Sequence, residues 1–211
     1  MTKLRRAISV DEIMSKKFKD IQFDGQWKSL LGIPELSGVW IIWGQSFNGK
    51  TSFCLQLAKE LTKYASVLYN SLEEGARKSM KESLERNHMY EVKRRFHIVQ
   101  EPIETLKLRL RKRRSADVVF IDSLQYSDLT KADYKKLKEE FPNKLFIMVS
   151  HAEGKQPKGR FADFVRYDCD IKIFVEGYKA TCMSRLASAG NTSEYIIWQK
   201  GADDYWGTNL N

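Results

Sequence analysis

The stretch WGQSFNGKTSF, residues 43–53, decides how this chain folds. An apolar run, VWIIW at 39–43, leads straight into a polar loop with two glycines and a lysine, and an amphipathic helical pattern follows over 50–64. Gly44, Gln45, Ser46, Phe47, Asn48, Gly49, Lys50 and Thr51 satisfy G-x-x-x-x-G-K-[ST] at every fixed position, between an expected strand and an expected helix. Glycines let the main chain wrap a triphosphate with its N–H groups turned inward, and the helix start presents the positive end of its dipole to the same anion. Lys50 is placed to reach the β and γ phosphates, Thr51 to offer its hydroxyl to Mg²⁺, and Ser52 completes the expected nucleotide-contacting set. Such a string arises by chance in roughly one chain in a hundred of this length. The strand-loop-helix setting separates this one from chance.

Working outward, short and nearly continuous apolar runs recur at 66–69, 96–99, 118–121 and 145–149, alternating with helical patterns at 76–87, 103–113 and 131–140. That alternation predicts an α/β fold with a mainly parallel sheet covered by helices on both faces. After His151 the texture changes to a basic loop, then to 171–176, 180–186 and 195–198, read as antiparallel strands closing the sheet. Residues 1–34 are polar and mixed, and are expected to be an extension packing on a core domain over 35–211.

Strand ends place further chemistry on the loop's edge of the sheet. VVFIDS, residues 118–123, ends in Asp122, which is expected to hold Mg²⁺ through water. VLYNSLEEG, residues 67–75, brings Glu73 and Glu74 to the same edge. One of them is a candidate general base for a water attacking the γ-phosphate, the other reading being acids that complement a helix dipole. His151 follows the apolar strand at 145–149, where an imidazole can hydrogen-bond a terminal phosphate; a structural histidine is the competing reading.

Over residues 32–198 this set resembles the RecA-type P-loop ATPases, most closely the RadA-like and DnaB-like branch. WGQSFNGKTSFCLQLAKEL is similar to that family's phosphate-loop strand and helix, VLYNSLEEG to its second-strand motif, and VVFIDSLQ to its metal-holding strand. The resemblance implies ATP as the nucleotide, Glu73 as the catalytic base and His151 as the phosphate sensor. MVSHAEGKQPKGR resembles the sensor strand and the mobile DNA-contacting loop after it, and YDCDIKIFVEG resembles a later strand entry through Asp170. MSRLASAGNTSEYIIW is similar to the segment whose lysine and arginine act on a neighbour's nucleotide, which implies a homo-oligomeric ring or filament. Arg185 matches the arginine, while Met183 stands at the lysine position and Ala187 at the glycine. The chain looks like a stand-alone ATPase core of the kind found in mobile elements or phages.

Composition narrows the partners. The 36 Lys and Arg exceed the 27 Asp and Glu, giving a formal charge of +9 that attracts polyanions. No apolar run is long enough to span a membrane, and the amino terminus lacks a secretory core, so a cytoplasmic location is expected. Cys54, Cys169 and Cys182 show no metal-binding or disulfide spacing. In the basic tract at 155–160, Lys155, Lys158 and Arg160 are the expected contacts to DNA, single-stranded and read without sequence preference. The other tract, KLRLRKRR at 107–114, reads as a solvated helix face. Two functions follow: a DNA-stimulated ATPase in recombination, repair or replication, or a nucleotide-gated adaptor with little turnover. A small-molecule kinase shares the phosphate loop, but no lid-like arginine cluster accompanies it.

Overall fold

The computed structural model describes residues 6–184 and 194–207. In chain order its helices and strands are α1 (Val10–Met14), α2 (Gly25–Leu31), β1 (Gly38–Gly44), α3 (Lys50–Leu61), β2 (Val67–Ser71), α4 (Lys78–Arg86), β3 (Phe96–Val99), α5 (Ile103–Leu110), β4 (Val118–Asp122), α6 (Lys131–Glu140), β5 (Leu145–Glu153), β6 (Gln156–Pro157), α7 (Arg160–Asp168), β7 (Ile171–Glu176), β8 (Lys179–Ser184), β9 (Glu194–Ile196) and α8 (Gln199–Trp206). The strands line up as β3-β2-β4-β5-β1-β7-β8-β9, parallel from β3 through β7 and antiparallel across β8 and β9. The expected α/β fold with antiparallel closing strands is the one observed.

The continuous apolar runs make sense because the central strands are covered on both faces. Along β1, Trp40 and Ile42 enter the core under α2 and α3, while Val39, Ile41 and Trp43 enter the core under α5, α6 and α7. Side chains alternate with a period of two, so a run with no polar residue is one with helices on either side.

Parts of the amino-terminal segment belong to this core: Ile21, Phe23, Leu30 and Leu31 are buried, and Trp27 stacks on Tyr195 with ring centroids 4.4 Å apart. Each such side chain contributes about 1.5–3 kcal/mol through burial. By contrast α1 buries nothing, and its order comes from the reciprocal Ser9–Glu12 capping box.

Two elements differ from expectation. The basic loop after His151 is a tight hairpin between β5 and β6, Glu153 facing Gln156 and Ala152 facing Pro157, rather than a mobile segment. It is tied down by Trp43 Nε1 donating to the Lys155 carbonyl at 3.1 Å. Beyond it lies α7, whose Ala162 and Val165 seal the sheet.

Candidate functional site

The loop from Gly44 to Thr51 sits at the carboxyl edge of β1, in the middle of the sheet. Gly44 lies so close to β7 that an added Cβ would collide with the Val175 carbonyl oxygen. Gly49 adopts φ 89°, a left-handed conformation that turns the chain into α3, and an added Cβ there would meet the Tyr178 ring at 2.9 Å. Both fixed glycines of the pattern thus answer to geometry.

The helix start has the features an anion would need. Gly49 has no side chain to cap α3, and no side-chain hydrogen bond caps the first N–H groups of the helix. Orphan N–H groups gathered at a positive helix end suit phosphate oxygens. The loop itself is held from one side: Asn48 Oδ1 accepts from Gly177 N at 2.8 Å, and the Asn48 carbonyl accepts from Tyr178 N at 3.1 Å. Gly177 and Tyr178 form the two-residue turn between β7 and β8, both at positive φ, as a tightly twisted hairpin requires. Phe47, at φ 63°, points into solvent and is 95% exposed.

The acids and the histidine converge where the strands predict. Ser71 pairs with Asp122 across β2 and β4, and Gly44 pairs with His151 across β1 and β5. Glu73 Oε2 lies 2.9 Å from His151 Nε2 and accepts from the Ser123 hydroxyl at 3.2 Å. Asp122 accepts from the Tyr69 hydroxyl at 2.5 Å. Burial raises the Asp122 carboxyl above the usual carboxylate range, against the Tyr69 hydrogen bond and the positive charge of Lys50, which lower it. Beneath them Cys54 is buried, and desolvation pushes its thiol far up, so it is no nucleophile.

These groups line one cleft of about 940 Å³ with Gln45, Ser46, Phe47, Gly49, Lys50, Thr51 and Ser52. Among the described residues no cluster of three or more His, Cys, Asp or Glu could cage a metal. Mg²⁺ bound here would rely on the Thr51 hydroxyl, on Asp122 and on the oxygens of a bound phosphate, a donor set that suits an ion reluctant to shed its waters.

The cleft also contains residues that sequence reasoning missed. Along its far wall, α4 and the residues flanking it present Arg77, Ser79, Ser83, Arg86 and Asn87 opposite Ser52 and Gln56 of α3. Their i, i+4 spacing on a polar helix was the available signal. Gln125 was missed too: its amide donates to the Lys158 carbonyl and to Ser150 Oγ, both at 2.9 Å, and its Oε1 accepts from His151 N at 3.1 Å. With Lys158 N donating to the His151 carbonyl at 2.8 Å, this ties His151 to the basic hairpin. Lys155, Lys158 and Arg160 are all exposed, around that hairpin and the start of α7. Arg185 lies outside the described residues.

No family model matches the chain, and no curated protein matches it in sequence. Solved structures do. A KaiC-like protein from the hyperthermophilic archaeon Pyrococcus horikoshii OT3 superposes with a TM-score of 0.60 at 17% identity, over 85% of this chain and 94% of that one. The flagellar accessory protein FlaH from Methanocaldococcus jannaschii gives 0.55 at 17% identity, over 85% and 92%. A third solved structure, an ATPase domain, gives 0.52 at 15% identity, over 79% and 83%. Among the described residues no helix is long and apolar enough to cross a membrane. With the loop, the strand-end acids and this sheet order in one place, the fold is RecA-like, the one shared with these three solved structures.

Proposed function

We propose that this chain binds Mg²⁺-ATP and hydrolyses it, acting on DNA as a homo-oligomer in the recombination, repair or replication of its host element. The observation that carries the hydrolytic part is the Glu73–His151 contact of 2.9 Å beside an uncapped helix start carrying Lys50. In this reading the main-chain amides of the loop and the Lys50 ammonium hold the phosphates, and Glu73 takes a proton from a water. That water attacks the γ-phosphorus, the bond to the bridging oxygen breaks, and ADP and phosphate leave. Mg²⁺, held through Thr51 and Asp122, would supply charge neutralisation for the phosphate oxygens.

His151 then plays two parts. Its ring orients the Glu73 carboxylate, and its main chain connects through Gln125 to Lys158. A change at the terminal phosphate is thereby transmitted to the hairpin proposed to contact DNA through Lys155, Lys158 and Arg160. By reciprocity of coupling, DNA held at the hairpin changes the affinity for the nucleotide by the same factor; stimulation of turnover by DNA is a separate expectation of this reading.

A second reading, a nucleotide-gated adaptor with little turnover, is favoured by Met183. It is 48% exposed on β8, at the position that corresponds to a cationic residue in the resemblance. Steady-state ATP hydrolysis with and without single-stranded DNA, alongside calorimetric titration of Mg²⁺-ATP, separates the two. Turnover that rises with DNA supports the enzyme; tight binding with no turnover in either condition supports the adaptor. Absence of binding heat overturns both.

A further inference from the structure

The sheet has a second charged edge, and it faces away from the nucleotide cleft. Because β2, β3 and β4 are parallel and in register, with Val67 level with Phe96 and with Val118, the segments entering β3 and β4 emerge together at their amino ends. Each carries a basic triplet: Lys93, Arg94 and Arg95 on one side of β2, and Lys112, Arg113 and Arg114 on the other. All six are exposed.

Among the described residues none of the six has an acid within ion-pairing distance. The cations beside them behave differently. Lys59 pairs with Glu91, Arg109 with Glu101 and Arg111 with Glu140. Acids on this edge are already engaged, Glu60 with Lys63 and Asp117 beside Lys144. The positive field of the six is therefore directed outward.

We infer that this amino edge is a docking surface for the phosphate backbone of nucleic acid, separate from the basic hairpin at the opposite edge. Four of the six are arginines, whose forked donors match phosphate oxygens. Neither triplet is interrupted by an apolar residue; their nearest apolar neighbours Val92, Phe96 and Leu110 are turned into the core, and the exposed Tyr90 and Leu108 lie in the elements before the triplets. A membrane-binding basic patch interleaves apolar anchors with its cations, and neither triplet contains one, which favours a nucleic acid over a lipid surface. Strands of this length put the two edges on the order of 15–20 Å apart. The inference does not rest on ATP hydrolysis.

The test is fluorescence anisotropy of the full chain with a labelled 20-base-pair duplex across a salt series. With six cations on phosphates, affinity falls by about a thousandfold between about 50 and about 200 mM salt. Arg94→Glu with Arg113→Glu should weaken binding more than about tenfold at low salt and flatten the salt dependence, with an unchanged melting temperature showing that the variant folds. Arg94→Gln with Arg113→Gln should give a smaller loss in the same direction. The hairpin variant Lys155→Glu with Lys158→Glu should leave the slope due to the amino edge in place. Wild-type affinity retained in the folded double charge reversal overturns the inference. So does binding to vesicles containing phosphatidylserine without binding to duplex. The titrations are made without nucleotide, so failure of the nucleotide reading does not count as failure here.

Discussion

The two edges of one sheet use charge in opposite ways. At the carboxyl edge Asp122, Glu73 and His151 are held by Tyr69, by Ser123 and by one another, in a cleft that shares its wall with Lys50. At the amino edge six cations stand in solvent with no acid among the described residues to pair with. Groups fixed by neighbours can place a proton or a metal to within a fraction of an ångström, which chemistry needs. Groups left in solvent act through their field, over a Debye length, and a polyanion can meet them in many registers. The difference predicts large, local effects at one edge and graded, salt-dependent effects at the other.

The largest effect should come from Lys50→Ala, which removes the charge at the uncapped helix start. It should cut kcat/KM for ATP at least about 10³-fold, since in the proposed reaction both binding and transition-state stabilisation use that ammonium. Near-normal activity in the variant would show that the carboxyl edge is no more local than the other. Glu73→Gln sharpens the point by keeping size and hydrogen-bonding capacity while deleting the base. Calorimetry should find nucleotide affinity within a fewfold of wild type, and rapid-quench assays should find kcat reduced by about 10²–10⁴. Equal losses in both would mean that Glu73 serves binding.

Asp122→Asn separates function from stability. Burial raises the Asp122 carboxyl in the folded chain, so the folded state holds that proton more tightly than the unfolded one. The contribution to stability is therefore present at low pH and is lost as pH rises through the ordinary carboxylate range toward the raised value. At neutral pH the charged carboxylate is a cost to the empty protein. The variant should melt a few degrees higher at pH 7, with the gap closing near pH 4, while Mg²⁺-dependent hydrolysis falls about a hundredfold. A lower melting temperature at pH 7 would mean that the Tyr69 hydrogen bond outweighs desolvation.

How much of this was legible in the sequence follows the same division. The strands β1, β2, β4 and β5 were readable because both faces are covered, which leaves a nearly continuous apolar signature; the edge strand β3, with His97 exposed, showed a weaker one, and the loop at 44–51 was readable because its glycines are each fixed by one geometric demand. Convergence of Glu73, Asp122 and His151 followed from strand ends in a parallel sheet. What could not be read depends on contacts between distant segments. Gln125 joins His151 to Lys158 only once β4, β5 and the hairpin are side by side. The hairpin at 153–156 looked like a mobile loop because the contact that anchors it, from Trp43, is 112 residues away. Helix α7 carried its signal in Phe161, Phe164 and Val165 at helical spacing, but a basic tract and a glycine before it read as a loop. The free and paired halves of KLRLRKRR could not be told apart at all, since the acids that pair Arg109 and Arg111 sit on other elements.

An intermediate effect tests whether the carboxyl edge is held in place by its antiparallel neighbour. Tyr178 covers Gly49, and its amide holds the Asn48 carbonyl, so the turn between β7 and β8 supports the phosphate loop from outside. Tyr178→Ala keeps the amide and removes the ring. Titration with a fluorescent ATP analogue should show affinity reduced by about tenfold, equivalent to about 1.4 kcal/mol, with kcat changed less. An unchanged affinity would mean that the main-chain bonds alone position the loop.

The smallest expected effect bears most directly on the contrast between paired and unpaired charge. Glu140 engages Arg111 at 2.6 Å and lies 3.9 Å from Lys107, next to the free triplet at 112–114. Glu140→Gln keeps the shape but releases Arg111, while Lys107 stays paired with Glu104 at 3.1 Å, so the amino edge gains positive field without any new residue. Surface pairs of this kind are worth about 0–1 kcal/mol, so melting should change little. Duplex affinity at low salt should nevertheless rise about threefold, and the gain should vanish at high salt, where the released charge is screened. Were affinity to stay flat at every salt concentration, pairing would not be what distinguishes the cations of the two edges, and the outward field would have to be credited to position alone.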